Sequence, residues 1–161
     1  MKIIKTVFVA LFLLIISCEK QDNTNNDLGE NFTFENIINN KIGIEKNGTF
    51  TLNVLNDDVI NAFKKFSLKN DLNLKPLSFK VIIIDNNEYL RFYNENNQVS
   101  TIALIKDDSG HYKTGGTVCT SSACSSGGGC VPNGLYCTPC KPQGPDSSVN
   151  GDCKRVTSNE N

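Results

Sequence analysis

Six of the seven cysteines lie within the last 43 residues, and no other feature of the chain constrains its fold as strongly. Serine, glycine and proline dominate the segments between them, so few apolar side chains are available there for burial. Because burial cannot offset the entropy cost of ordering such a segment, an even set of cysteines predicts disulfides. We therefore expect a Cys-rich tail (residues 119–161) with three intramolecular disulfides, their pairing left open. The six candidates are Cys119, Cys124, Cys130, Cys137, Cys140 and Cys153.

Residues 137–140, with the sequence CTPC, are the only close cysteine pair in this tail. The pair resembles the Cys-x-Pro-Cys motif of thioredoxin-like oxidoreductases, in which the first cysteine begins a helix that lowers its pKa. Two prolines follow within residues 141–145 and oppose a helix there. An extracytoplasmic thiol oxidoreductase using Cys137 and Cys140 is therefore an alternative that the local sequence does not favour.

A zinc site is the second alternative for the same cysteines. It would combine Cys130, Cys137 and Cys140 with either Cys119 or Cys124. Zinc folds usually contain two close pairs of ligands, and their thiolates must escape oxidation. We keep a metal-binding protein as an alternative, but we expect neither a metal nor a cofactor.

The start of the chain has the pattern of an export signal. Lys2 and Lys5 precede ten apolar residues, Val7–Ile16. A transmembrane helix needs about 20 apolar residues, so this run has the length of a signal peptide rather than of a membrane span. Residues 15–18 have the sequence IISC, which resembles the lipobox of bacterial lipoproteins.

The lipoprotein resemblance implies a signal peptide over residues 1–17 and acyl chains such as palmitate on Cys18. Each buried methylene contributes about 0.8 kcal/mol, so several acyl chains would anchor the chain firmly in a membrane. The resemblance implies a location in the cell envelope, at the outer membrane, and an oxidising compartment suits disulfides. Charged residues at 19–22 leave the periplasmic and the surface-facing orientation both open. Residues 18–27 would be a flexible tether, because residues 19–27 contain no apolar side chain.

Residues 28–118 have the pattern of a small α+β domain, although the state of residues 28–46 is left open. After an Asn-Gly turn signal, alternating apolar residues predict a strand over Thr49–Val54. An apolar stripe at helical spacing predicts a helix over 57–69, with acidic residues at its start and lysines near its end. Asn56, Asp57 and Asp58 offer capping side chains for this helix.

Four apolar runs separated by Asn, Asp and Gly then predict an antiparallel meander. Phe79, Val81 and Ile83 share one face of the first run, so the helix could cover the sheet. One helix across an antiparallel sheet resembles the cystatin layout, although the chain has no recognisable inhibitory motif. The four runs are Leu77–Ile84, Glu88–Tyr93, Val99–Ile105 and His111–Val118.

The charge and the histidine content of the chain argue against two classes of function, nucleic-acid binding and catalysis. The net charge of −1, which becomes about −3 without the signal peptide, gives no electrostatic footprint for nucleic acid. His111 is the only histidine and has no nucleophile and orienting acid at a recognisable spacing. We therefore expect no nucleic-acid partner and no catalytic residue. The chain is expected to be a non-enzymatic, lipid-anchored binding module that presents a disulfide-bonded loop to a protein or glycan partner.

Overall fold

A computed structural model describes residues 32–33, 35–124, 129–140 and 152–157. The predicted signal peptide, Cys18 and the tether over 18–27 lie outside these residues. The described chain forms nine strands and one α-helix, with a single 3₁₀ turn at Glu95–Asn97 between β4 and β5. In chain order the elements are β1 (Lys41–Lys46), β2 (Thr49–Leu52), α1 (Asn56–Lys69), β3 (Pro76–Ile84), β4 (Asn87–Asn94), β5 (Gln98–Lys106), β6 (His111–Ser121), β7 (Pro132–Asn133), β8 (Tyr136–Cys137) and β9 (Lys154–Thr157).

Seven of these strands form one antiparallel sheet, in the order β2-β1-β6-β5-β4-β3, with β9 also paired to β6. The predicted meander is confirmed, because consecutive strands β3 to β6 are neighbours in the sheet. Asp85 and Asn86, at φ of 49° and 65°, make the turn between β3 and β4. This left-handed backbone is the conformation that Asn and Asp tolerate best.

Strand β6 lies inside the sheet, which corrects one expectation from the sequence. The predicted run ends at Val118, and the predicted Cys-rich tail begins at Cys119. Instead β6 continues to Ser121, and Cys119 pairs with Thr101 on one side and with Arg155 on the other. The strand continues because both neighbours supply backbone partners, and one of them, β9, comes from the tail itself.

Strands β1 and β2 form a hairpin at one edge of the sheet. Asn47 and Gly48 occupy its turn at φ of 52° and 75°, as a two-residue turn of this type requires. The predicted strand ends at Leu52 rather than at Val54. Residues 35–39, which the sequence left open, form turns that lead into β1.

Helix α1 covers one face of the sheet, and the main apolar core lies between them. The ring of Phe63 stacks on that of Phe92 on β4, with centroids 3.9 Å apart. Phe79 on β3 lies beside the same ring, at 5.8 Å. The helix therefore covers the predicted face at Phe79 and Phe92, whereas Val81 and Ile83, which were predicted to share that face of β3, are exposed.

The start of the helix differs from the prediction. Leu55, not Asn56, Asp57 or Asp58, is the N-cap residue, and no side chain caps the first turn. Asp57 and Asp58 lie inside that turn, where their charges still suit the helix dipole. The one-residue difference leaves the cap position with an exposed leucine.

The Cys-rich tail covers part of the opposite face of the sheet. Cys119 and Cys130 are fully buried there, and Val131 is nearly so. The molecule is thus a mostly β member of the α+β class, with a curled antiparallel sheet between one helix and a disulfide-rich region. No described helix is long and apolar enough to cross a membrane.

Candidate functional site

Three disulfides join the six cysteines of the tail, which confirms the expectation of a disulfide-bonded segment. Their Cα atoms are 5.5–5.7 Å apart, inside the usual range. The pairing is interleaved, since the first cysteine bonds to the fourth, the second to the fifth and the third to the sixth. The pairs are Cys119–Cys137, Cys124–Cys140 and Cys130–Cys153.

The CTPC pair does not form a disulfide of its own. Cys137 and Cys140 bond to two different partners, and Thr138 between them is held by Val131. The Thr138 amide donates to the Val131 carbonyl at 2.9 Å, and the Val131 amide donates to the Thr138 hydroxyl at 3.1 Å. This backbone is extended rather than helical, so Cys137 does not have the helix start that lowers the pKa of redox cysteines.

A short hairpin forms in the described tail, and its tip is exposed. Strands β7 and β8 pair through Pro132 with Cys137 and Asn133 with Tyr136. Gly134 begins the two-residue loop at φ of 60°, a conformation that glycine adopts without strain. Two apolar side chains at the hairpin tip are exposed to solvent: Leu135 in the loop is 63% exposed, and Tyr136 at the start of β8 is 71% exposed. We call residues 130–140 the cross-linked hairpin.

Disulfides fix the hairpin at its base. Cys137 bonds to Cys119 in the middle of the sheet, and Cys130 bonds to Cys153 just before β9. The hairpin also packs against strands β5, β6 and β9. Its exposed tip therefore extends from a base that is bonded to Cys119 in β6 and to Cys153 next to β9.

Arg155 on β9 is positioned by the hairpin tip. Its guanidinium lies 5.6 Å from the centre of the Tyr136 ring, and one Nη donates to the Leu135 carbonyl at 2.9 Å. Stacking on an aromatic face and one hydrogen bond together limit the freedom of this exposed side chain. The arrangement presents an aliphatic, an aromatic and a cationic group within one small surface.

A cavity of about 800 Å³ lies between the hairpin and the sheet. A register shift between β5 and β6 shapes its floor, because three residues of β6 (115–117) oppose Ala103 alone. Gly115 and Gly116 lie in that shift and leave the floor without side chains. We call this cavity the basic groove. Its described lining is Asn39, Ala103, Ile105, Lys113, Gly115, Gly116, Thr117, Pro132, Gly134, Leu135, Arg155 and Thr157.

Polar contacts beneath the hairpin connect the tail to the sheet. The buried Arg91 on β4 donates from Nε to the Thr101 hydroxyl at 3.1 Å and from an Nη to the Gly129 carbonyl at 3.0 Å. Burial lowers the pKa of Arg91, since removal from water disfavours its charged form. This guanidinium thus serves as a fixed support for the tail backbone.

Asp152 makes a second polar connection, at the end of β6. Its carboxylate accepts hydrogen bonds from the Ser121 hydroxyl at 2.6 Å and from the amides of Ser122 and Ala123 at 3.0 and 3.1 Å. These donors lower the pKa of Asp152 to about 2, and the Ser121 hydroxyl contributes most. The charged carboxylate therefore holds the segment before Cys153 against the turn that contains Cys124.

His111 begins β6 far from these cysteines in the sequence. Its Nδ1 lies 3.6 Å from a carboxylate oxygen of Asp107 in the preceding turn. No described hydroxyl or thiol is hydrogen bonded to this histidine, and the described residues contain no group of three His, Cys, Asp or Glu side chains that could hold a metal ion.

The cysteines were predicted from the sequence, but the surface that they support was not. Leu135 and Tyr136 are among the few apolar residues of the tail, and both are exposed rather than buried. The Asn-Gly pair at 133–134 is a hairpin signal that could have located the tip. Lys113 and Arg155 carry no local signal, because only the fold brings β6 and β9 to the same groove.

No protein-family model matches this sequence, and neither the curated proteins nor the solved structures searched include a similar one. The class of the molecule therefore follows from its own fold and surface: a helix-covered antiparallel sheet that carries a disulfide-fixed hairpin.

Proposed function

We propose that this chain is a lipid-anchored protein of the cell envelope that binds a protein or glycan partner through its cross-linked hairpin, without catalysing a reaction. The observation that carries the proposal is the exposure of Leu135 and Tyr136 at the tip of a hairpin with a covalently fixed base. Exposed apolar side chains on a rigid element lose little entropy when a partner covers them. Tyrosine and arginine are also the residue types that dominate binding energy in protein interfaces.

The membrane anchor in this proposal rests on the lipobox resemblance that ends at Cys18. We expect Cys18→Ser to leave an uncleaved or mis-sorted precursor that carries no acyl chains. Intact mass spectrometry and phase partitioning measure both effects. Unchanged mass and partitioning in the variant would show that the anchor assignment is wrong. The likeness to the cystatin layout concerns shape alone and adds no inhibitory function to the proposal.

The hairpin assignment can be tested by photo-crosslinking in the native envelope. A photoreactive residue replaces Tyr136 in one protein and Leu55 in a control, since Leu55 is 72% exposed and lies at the helix start. We expect a discrete adduct from position 136 but not from position 55. Leu135→Ser should reduce its yield, whereas Leu68→Ser, another exposed leucine on α1, should not. Equal adducts from both positions, or none from position 136, would contradict the proposal.

The enzyme alternative has its own measurement. Insulin reduction is compared for the wild-type protein and Cys137→Ser. A binding module gives no turnover in either protein, because both CTPC cysteines are bonded to other segments. Turnover that depends on Cys137 would instead identify a thiol oxidoreductase.

A further inference from the structure

The basic groove contains two cations that have no carboxylate partner among the described residues. Lys113 on β6 and Arg155 on β9 both line it, and its described lining includes no aspartate or glutamate. Four ion pairs occur elsewhere in the described chain, and neither cation belongs to them. The whole chain has a net charge of −1, whereas the described lining of the groove carries two positive charges and no carboxylate. Such a groove is electrostatically complementary to an anion.

The side chain of Arg155 is preorganised for binding an anion. The Tyr136 ring supports its guanidinium and the Leu135 carbonyl accepts one of its N–H groups. A guanidinium has five N–H donors in a planar fork that matches the geometry of a carboxylate. The Cys130–Cys153 disulfide ends two residues before Arg155, so the backbone that carries it is also fixed.

The rest of the groove is aliphatic. Ile105, Pro132 and Leu135 form its walls, and the glycines of β6 allow the backbone of a ligand to approach closely. A volume of about 800 Å³ holds several residues of an extended chain. The groove therefore combines apolar walls with two cations.

Resting on the proposed function, we propose that the basic groove binds a peptide segment in which an acidic side chain is flanked by aliphatic ones. The carboxylate would pair with Arg155 and Lys113, and the aliphatic side chains would contact Ile105 and Leu135. An acidic sugar offers the same carboxylate, but its many hydroxyls would lose hydrogen bonds to water against aliphatic walls. The observations therefore favour the peptide.

The test measures binding of three probes to the full chain in detergent micelles by fluorescence anisotropy. The first is a capped pentapeptide with one central glutamate between two leucines, the second is its glutamine twin, and the third is a galacturonic acid trisaccharide. We expect the glutamate peptide to bind about tenfold more tightly than the other two, the ratio typical of one charge-assisted hydrogen bond. Raising salt from about 50 to about 500 mM should remove most of that difference.

Three variants locate the binding. Lys113→Gln and Arg155→Gln should each weaken binding of the glutamate peptide about five- to tenfold. Arg155→Lys keeps the charge but loses the fork and should give an intermediate affinity. Lys80→Gln is the matched control, because Lys80 lies 5.9 Å from the Tyr93 ring outside the groove, and it should change the affinity less than about twofold.

Equal affinity for the two peptides, tighter binding of the trisaccharide, absence of peptide binding, or an equal effect of Lys80→Gln would overturn the inference. Its failure can be distinguished from failure of the proposed function. If no probe binds but the adduct from position 136 still forms and still depends on Leu135, the hairpin binds a partner of different chemistry. If both results are negative, neither proposal holds.

Discussion

The two faces of the sheet are covered by layers that are held in different ways. On the helix face, Val59, Phe63 and Phe66 of α1 are buried against the sheet, and aromatic rings stack across the interface. On the tail face, the contacts are disulfides and hydrogen bonds to buried or charged groups, as at Arg91 and Asp152. One layer is stabilised by the removal of apolar surface from water, and the other by covalent and polar links.

This difference explains how so short a chain covers both sides of one sheet. The helix supplies enough apolar side chains for one core. Among the described residues of the tail, Val131 is buried, whereas Val156 packs against the helix-face core. Cross-links replace the missing apolar area, because they restrict the unfolded tail instead of burying more surface. The two layers should consequently respond to different perturbations. Because both layers contact strand β6, they cannot unfold fully independently of each other.

The largest expected effect is on the helix face. Phe63→Ala removes the ring that stacks on Phe92 and should lower the free energy of unfolding by about 3–5 kcal/mol. Urea unfolding followed by circular dichroism measures the change. Leu68→Ala on the same helix is the control, and it should cost less than about 1 kcal/mol because Leu68 is exposed. An equal loss of unfolding free energy in the two variants would show that burial of Phe63 does not hold the helix on the sheet.

The second effect concerns the tail face. Replacing Cys130 and Cys153 by serine opens a cross-link with a sequence separation of 23, and should lower the free energy of unfolding by about 3 kcal/mol. The intact protein should first be lighter than its fully reduced form by the six hydrogens of three disulfides. A mass that shows free thiols in protein from the envelope would contradict the assignment.

Hydrogen exchange shows whether the two layers open separately. After reduction, amides of the cross-linked hairpin should exchange much faster, while those of α1 should keep their protection. Because β9 pairs with β6, some loss of protection at Thr117–Thr120 is expected as well. Equal deprotection of α1 and the hairpin would mean that the sheet couples both faces into one cooperative unit.

Acidification is expected to lower the free energy of unfolding by a smaller amount. The folded pKa of Asp152 is about 2, below its ordinary value of 3.8, so the folded state favours the charged carboxylate. Its contribution is complete above about pH 5 and is lost as the pH falls through 4 towards 2. The carboxylate is exposed, so solvent screening limits this contribution to about 1 kcal/mol.

Exchange of the Ser122 and Ala123 amides tests the role of Asp152. In Asp152→Asn these amides should exchange about fivefold faster at neutral pH, which corresponds to about 1 kcal/mol. Asp108→Asn removes an exposed carboxylate from the turn before β6 and should leave them unchanged. Identical exchange in wild type and Asp152→Asn would show that the carboxylate does not hold this turn.

Much of the helix side was predictable because its signals are local. The meander strands begin and end within a few residues of their predicted bounds, since each run alternates apolar residues and ends at Asn, Asp or Gly. The register follows from the same alternation, because Phe79, Leu90 and Ile102 must share the buried face.

The tail side was predictable only in its chemistry. Its cysteines indicated cross-links, but the interleaved pairing depends on which segments meet above the sheet. Likewise, Lys154–Thr157 has no strong strand signal, and it becomes β9 because β6 offers an open edge beyond β1. The basic groove depends on the pairing of β9 with β6 and on the register shift at Gly115 and Gly116. No local sequence pattern predicts either feature.

The smallest expected effect is a gain in stability at the start of α1. Leu55 is the N-cap residue with φ of −69° and ψ of 143°, a backbone that capping residues adopt, yet its side chain accepts no hydrogen bond from the first turn. Leu55→Asp should supply that acceptor and a favourable charge, raising the free energy of unfolding by about 0.5–1 kcal/mol. Leu55→Ala supplies neither and is the control. Because Leu55 is 72% exposed, replacing it sacrifices little buried surface, and thermal unfolding should therefore show a higher midpoint for the aspartate variant alone.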